Sequence, residues 1–376
     1  VIISIATGPW LPVPAVQGGA IPRLWQGLAE EFANRGHQVR ILCRSYPGQP
    51  QTEVINGVEY IRRGGLPQST NIRLDLIKDL LYALLIFPTL PRADILVIND
   101  FWLPVFAALR SSSGQIVVNA ARFPKGQYRL YTKVACFAAV SQAVKEAIAQ
   151  EYPLLIPRIK VIPNPIDTSI FFPATSSKFA NQEKVILYVG RIHPEKGIHL
   201  LVDAFFILAQ QISTAKLRII GPQQENQGGG GDKYLRSLKL QAEKLNIEFI
   251  EPIFDVDKLA EAYRQADIFC YPSLAEKGES FGVAPLEAMA SGLVPVVSDL
   301  PCFRDFIESG KTGYFFNHKK TDAAKNLSAT LVSAILNWET TTKMGAKAVQ
   351  KAQEFSYQQI ANVYLSTFEQ LLTTTK

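Results

Sequence analysis

The chain has 376 residues, of which 47% are hydrophobic and 19% charged. That length and balance exclude a disordered protein and point to two domains with ample core. The net charge is +6, and all of it falls in residues 1–167, which carry 17 Lys and Arg against 11 Asp and Glu; the remainder carries 22 against 22. Such asymmetry points to an anionic partner for the first half, a membrane face or a phosphorylated substrate, or else to chance distribution. No nucleic acid partner is expected. Cys43, Cys136, Cys270 and Cys302 are scattered without a C-x-x-C pair, which argues against a zinc site or a disulfide framework and reads as reduced core filler of a cytoplasmic protein. No signal peptide is visible at Val1.

In chain order, the runs at 1–6 (VIISIA), 38–43 (QVRILC), 94–99 (DILVIN) and 115–120 (QIVVNA) read as buried strands. Leu24, Leu28 and Phe32 recur at helical spacing in segment 20–36, which Gly36 closes. Segment 72–90 is the most apolar, but Arg73, Asp75, Lys78 and Asp79 interrupt it and Pro88 breaks it. It is too short to span a bilayer and predicts an amphipathic surface helix. The same beat restarts at 184–190 (KVILYVG) and continues through 216–221, 247–252, 268–273 and 293–299, with helical patterns between. Strands separated by helices imply parallel sheets, and two such series imply two doubly wound α/β domains. The expected divisions are 1–167, 168–355 and a last helix in 356–376, whose stripe of Ile360, Val363, Tyr364, Phe368 and Leu371 has a face to bury against either domain. Residues 223–231 (QQENQGGGG) read as a mobile low-complexity loop.

Three pieces carry chemistry. In 279–292 (ESFGVAPLEAMASG), Glu279 and Glu287 flank a turn that opens a helix near Gly282. Eight helical residues would separate the acids by about 12 Å, which suits a long ligand such as a nucleotide-sugar. A helix N-terminus between them offers N–H groups to a phosphate, and one acid could hold ribose hydroxyls; alternatively Glu287 merely belongs to a surface helix. In 189–197 (VGRIHPEKG), Arg191 and Lys196 follow a strand, at the edge where open α/β sheets bind ligands. The spacing is not that of a P-loop, and the segment read alone is equally an ordinary charged loop. In 7–20 (TGPWLPVPAVQGGA), Gly18 and Gly19 permit close approach of backbone to a ligand, and Trp10 could stack on a sugar or base. The G-x-G-x-x-G spacing is absent, which disfavours hydride chemistry.

These pieces, in this order, resemble the retaining glycosyltransferases of family 4. Residues 35–39 (RGHQV), 140–148 (VSQAVKEAI), 161–173 (VIPNPIDTSIFFP) and above all 271–299 (YPSLAEKGESFGVAPLEAMASGLVPVVSD) carry the resemblance over nearly the whole chain. It implies the GT-B fold: two doubly wound Rossmann-like domains facing a cleft, with the last helix crossing back to the first. Arg191 and Lys196 would then neutralise the donor diphosphate, Glu287 would hold the ribose and Glu279 the donor sugar. The backbone of Phe281, Gly282 and Val283 would touch sugar and phosphate, Gly18 and Gly19 would approach the diphosphate, and the base would lie near Pro252 and Ile253. No metal and no cofactor are required, the nucleoside diphosphate sugar being a co-substrate.

Pro165 stands in place of the family's usual Gly, and one further departure matters. Members generally present a histidine beside the reacting sugar in the first domain, and His37, His193, His199 and His318 do not match it; Ala121 stands nearest its place. Asn99 and Asp100 are the substitutes for polar contact there, with Asp100 a candidate catalytic residue, or else a strand cap. For the acceptor, Arg122, Lys125, Arg129 and Lys133 would share one basic face if helical and, with Trp102, could meet a lipid-phosphate-linked acceptor or a membrane surface at the inner face of the cytoplasmic membrane; a solvated face is the alternative. Asp255 or Asp257 in the DVD at 255–257 is read as a helix N-cap rather than a metal ligand. The resulting expectation is transfer of a hexose from a nucleoside diphosphate sugar, UDP-glucose first and GDP-mannose second, to a glycan or lipid-linked glycan hydroxyl. A non-catalytic paralogue that binds nucleotide-sugar or a partner enzyme, and a sugar-nucleotide epimerase, are the alternatives.

Overall fold

The computed structural model describes residues 1–16, 19–69, 71–174 and 183–374. It divides into two compact units, Val1–Pro165 with Tyr357–Lys376, and Ile166–Ser356.

The first unit contains β1 (Ile2–Ala6), α1 (Ala20–Asn34), β2 (Gln38–Cys43), β3 (Thr52–Ile55), β4 (Val58–Arg62), α2 (Ile72–Ile86), β5 (Ile95–Ile98), α3 (Leu103–Ala107), β6 (Gln115–Ala120), β7 (Cys136–Ala139), α4 (Gln142–Glu151) and β8 (Ile159–Val161). Its eight strands run β3-β4-β2-β1-β5-β6-β7-β8, all parallel except β3. β5 is buried at all four residues, as a central strand covered on both faces must be. The β3–β4 hairpin lay outside the predicted strands. It turns on Asn56-Gly57, both at positive φ (48° and 78°), the conformation a two-residue hairpin turn requires.

The second unit contains β9 (Lys184–Val189), α5 (Ile198–Ala209), β10 (Ala215–Ile220), α6 (Gly231–Gln241), β11 (Ile247–Ile250), α7 (Val256–Arg264), β12 (Ile268–Tyr271), α8 (Val283–Ala290), β13 (Val294–Ser298), β14 (Tyr314–Phe316), α9 (Ala323–Leu336) and α10 (Trp338–Gln353). Its six strands are all parallel, in the order β11-β10-β9-β12-β13-β14. Asp255 caps α7, accepting the N–H groups of Asp257 and Lys258 at 3.1 and 3.2 Å, which is the helix-cap role read from the sequence.

The last helix, α11 (Tyr357–Thr373), belongs to the first unit. Tyr364 and Phe368 meet Trp25 and Phe32 of α1 edge-on, with ring centroids 5.5–6.3 Å apart. Such pairs add to the burial of four large side chains. Of the stripe read from the sequence, Ile360, Tyr364 and Phe368 are buried, while Val363 is exposed.

Three sequence expectations are corrected. Residues 122–133 form no helix beyond a short 3-10 turn at Tyr128–Leu130, so Arg122, Lys125, Arg129 and Lys133 share no helical face; all four are exposed. Residues 223–231 are a hydrogen-bonded turn, described below. Finally, α2 is not polar on one side: Asp79 is buried, and Asp75 is engaged by Ser69 just before the helix.

Candidate active site

In each sheet the chain leaves a central strand to one side and later returns to the other. The reversal lies between β1 and β5 in the first unit and between β9 and β12 in the second. Crevices at the carboxyl ends of such strands are where open α/β sheets bind ligands.

In the second unit, the loop after β9 carries Arg191 and Lys196, and the loop after β12 carries Glu279. The two loops are pinned together: Leu274 N–H donates to the Glu195 carbonyl at 2.8 Å. Gly197 makes this approach possible, since it adopts φ 69° and a Cβ there would lie 2.1 Å from the Pro272 carbonyl oxygen. Lys196 Nζ meets Glu279 Oε2 at 2.6 Å, with side chains only 8% and 9% exposed. A charge pair so far from water persists because each partner satisfies the other. The same ammonium lies 5.6 Å from the centre of the Tyr271 ring, which stacks on Tyr188. Burial and the Glu279 carboxylate hold both phenols well above their usual pKa, so they stay neutral.

Arg191 is 42% exposed and pairs with Glu195. Its Nη1 also donates to the Gly228 carbonyl at 3.0 Å. The glycine run thus packs on the phosphate-loop candidate. Gly230 N–H donates to the Ile192 carbonyl at 2.8 Å, and Gly231 N–H to that of Gln223 at 3.0 Å. At Gly229 a Cβ would lie 2.2 Å from the Gln223 carbonyl oxygen, so this composition reflects close packing of backbone on backbone rather than a linker.

α8 opens at Gly282 (φ 95°), and its first N–H groups lack intrahelical acceptors. Val283 begins the helix, while Phe281 is buried beside Phe306 and Phe355. Glu287, on α8, accepts the Tyr263 hydroxyl at 3.0 Å; that carboxylate and burial keep the phenol protonated. Pro252 and Ile253 follow β11 at the same carboxyl edge of the sheet.

The chain matches two family models, glycosyltransferase family 4 over residues 21–170 and glycosyl transferases group 1 over residues 174–351. It belongs to this family of glycosyltransferases. Among its relatives, the phosphatidyl-myo-inositol mannosyltransferase of Mycobacterium tuberculosis is 28% identical over 321 residues, covering 80% of this chain and 79% of the relative. Spore coat protein SA of Bacillus subtilis is 23% identical, covering 98% and 99%. Among solved structures, sucrose-phosphate synthase from Thermosynechococcus elongatus superposes with a TM-score of 0.80 at 18% identity, covering 99% of both chains. The Anabaena protein HepE, solved with UDP and glucose, gives 0.73 at 19% identity, covering 98% and 99%. The fold is GT-B, and the glycosyltransferase acts on nucleotide sugars.

The candidates in the first unit are differently placed. Gly18 lies outside the described residues; Gly19 precedes α1 with φ 100°. Trp10 is partly exposed and its carbonyl accepts from Arg44. Asn99 Oδ1 accepts from Trp25 Nε1 at 2.6 Å and from Asn119 Nδ2 at 2.7 Å. Trp102 Nε1 donates to the Leu76 carbonyl at 3.0 Å. Asp100 is buried, and Oδ1 accepts the N–H groups of Trp102 and Leu103 at 3.0 and 2.9 Å. Oδ2, also buried, meets no donor, and Asp79 faces it while accepting the N–H groups of Phe101 and Trp102. Burial and the Asp79 charge push Asp100 well above the usual carboxylate range; burial raises Asp79 also. The physical solution is a proton on Asp100 given toward Asp79. Asp100 thus caps the start of α3, the alternative role read from the sequence, with its carboxyl withdrawn from solvent.

Tyr188, Tyr263, Tyr271 and Gly228 were missed from the sequence. Tyr188 and Tyr271 lie at strand ends, Tyr263 on α7 opposite α8 and Gly228 just past a short 3-10 turn, and none carries a charge or spacing that marks it in the sequence.

Proposed function

We propose that this glycosyltransferase transfers a hexose with retention from a nucleoside diphosphate sugar, UDP-glucose first and GDP-mannose second, to a hydroxyl of a glycan or lipid-linked glycan. The observation that carries the reading is the buried Lys196–Glu279 pair beside Arg191 at the β9/β12 reversal. Two cations there face the place where a diphosphate must sit, and the α8 N-terminus adds backbone donors. Arg191 forks onto phosphate oxygens and Lys196 adds a point charge, so charge developing on the departing diphosphate is met by groups already in place. Glu279 orients the sugar, and Glu287, fixed by Tyr263, takes the ribose hydroxyls. The acceptor hydroxyl attacks on the face from which the diphosphate leaves, and its proton passes to the leaving phosphate oxygen. That route needs neither the family's histidine nor a metal ion. HepE, with UDP and glucose bound, supports the first donor choice, and the mannosyltransferase relative supports keeping the second.

Calorimetric titration with UDP, GDP and ADP, each in buffer containing EDTA, tests the reading. One nucleotide is expected to bind in the micromolar range, and Arg191→Ala to weaken it at least tenfold. Absence of binding by all three would reject the donor site and favour a non-catalytic paralogue. Isomerisation of the sugar nucleotide without an acceptor would instead identify an epimerase.

A further inference from the structure

The loop from Pro272 to Phe281, between β12 and α8, carries Glu279 and is tied down on one flank by the bond from Leu274 N–H to the Glu195 carbonyl. A histidine holds the other flank. Glu276 Oε1 lies 2.7 Å from Nε2 of His318, 42 positions further along the chain and just past β14, the edge strand of the second sheet. The imidazole is only 5% exposed and stands edge-on to Phe316, and its Nδ1 is buried without a partner. A buried ring with one nitrogen idle is committed through the other. Partial burial works against the Glu276 charge, but hydrogen bonds from His318 and Lys319 hold that carboxyl below its ordinary pKa, so the carboxylate accepts and Nε2 carries the proton. Lys319, 3.1 Å away and 65% exposed, adds little. The segment bearing His318 is itself fixed: Asn317 N–H donates to Asn326 Oδ1 on α9 at 2.8 Å, and Lys319 N–H to Asn317 Oδ1 at 3.0 Å.

Glu276 belongs to a closed turn that ends on Glu279. The N–H groups of Gly278 and Glu279 both donate to the Ala275 carbonyl, at 3.0 and 2.9 Å, and Ala275 N–H donates to Ser273 Oγ at 3.4 Å. We propose that His318 is a positioning residue for the donor sugar: its grip on Glu276 fixes the Ala275–Glu279 turn, and through it the place from which the Glu279 carboxylate meets the sugar. Lys196 holds only the carboxylate end of Glu279, whereas the turn sets its backbone end. The inference deepens the donor-site reading and rests on it for what Glu279 touches. The groups assigned to the diphosphate are held outside the turn: Arg191 by Glu195 and the Gly228 carbonyl, and Lys196 by the bond from its N–H to the His193 carbonyl at 2.9 Å. Loosening the turn therefore affects the sugar and spares the nucleotide.

Calorimetric titration with UDP and UDP-glucose, or with GDP and GDP-mannose where the wild type selects GDP, separates the two contributions. His318→Phe keeps an aromatic ring beside Phe316 and removes the N–H donor. Affinity for the nucleotide should stay, while affinity for the sugar nucleotide falls about tenfold. His318→Gln, which carries an N–H where Nε2 stands, should recover most of that loss. Glu276→Ala should match His318→Phe, and the double variant should be no worse than either, as two groups acting through one bond require. Hydrogen exchange without ligand should quicken about tenfold at the Gly278 and Glu279 amides in both single variants. Equal weakening of nucleotide and sugar nucleotide would make His318 a merely structural residue and overturn the proposal, as would unchanged sugar-nucleotide affinity or unchanged exchange. Because Glu276 is 45% exposed, Glu276→Ala carries the same test if the ring variant does not fold. A wild type that binds none of these compounds rejects the donor-site reading and this role with it, whereas variants that match a wild type that binds reject the role alone.

Discussion

The two sheets reverse direction at equivalent points, yet the side chains at their strand ends are employed in opposite ways. After β12 and β9, Glu279, Lys196 and Arg191 present charge whose partners are one another or a neighbouring loop. After β5, Asn99 and Asp100 are consumed by Trp25, Asn119 and the start of α3. Sharing a topological position therefore does not make a polar side chain a ligand contact. What separates the cases is the partner: local backbone and neutral side chains after β5, an opposite charge on another loop or in the same loop after β9 and β12.

The strongest way to break this contrast is at Lys196. Lys196→Met should lower sugar transfer or donor hydrolysis by about 10²–10³-fold, the usual loss when one pre-placed stabiliser of a leaving charge is removed. It should also destabilise the donor-free protein by about 3 kcal/mol in urea unfolding, because Glu279 is left buried without its counter-charge. Adding Glu279→Met should restore most of that stability while activity stays lost. A single variant as stable as wild type would show that the pair is solvated rather than buried.

Asn99 sharpens the other side of the comparison. Asn99→Ala leaves Trp25 Nε1, on a wholly buried ring, and Asn119 Nδ2 without their acceptor. An unsatisfied buried donor costs about 1–3 kcal/mol, and urea unfolding should show a loss of that size. Unchanged stability would return Asn99 to the pool of candidate sugar contacts.

How much of this was legible beforehand differs between the units for the same reason. Buried parallel strands such as 95–98 and 184–189 announce themselves as apolar runs, and strand-end loops with cations or an E-x7-E spacing mark a candidate donor site in one dimension. The partners do not appear there: Lys196 and Glu279 are separated by 83 positions, and the two loops meet only because Gly197 lets backbone approach backbone. Short strands such as β8 and β14, three residues each, carry too little periodicity to be read. The Asn56-Gly57 turn was readable and was passed over. The glycine run at 228–231 misled by composition, since packing against Gln223 and a polar linker call for the same residue. Asp79 and Asp100 could not be paired from sequence, because one lies within a helix and the other follows a strand.

That pair yields the smallest effect and the sharpest sign. Folded, Asp100 keeps its proton above the ordinary aspartate value of 3.8, so above that pH the native state binds more protons than the unfolded chain. Stability must then fall as pH rises from about 4 through the folded pKa, and be fully present below it. Asp100→Asn retains an acceptor for the Trp102 and Leu103 N–H groups and a donor toward Asp79, but does not titrate. Thermal unfolding of the two proteins should coincide near pH 4, with the wild type falling progressively below the variant as pH rises toward 8. Parallel curves across that range would mean that Asp100 is ionised in the native state; its second oxygen would then need a donor, and the loop after β5 would regain a charge to offer a ligand.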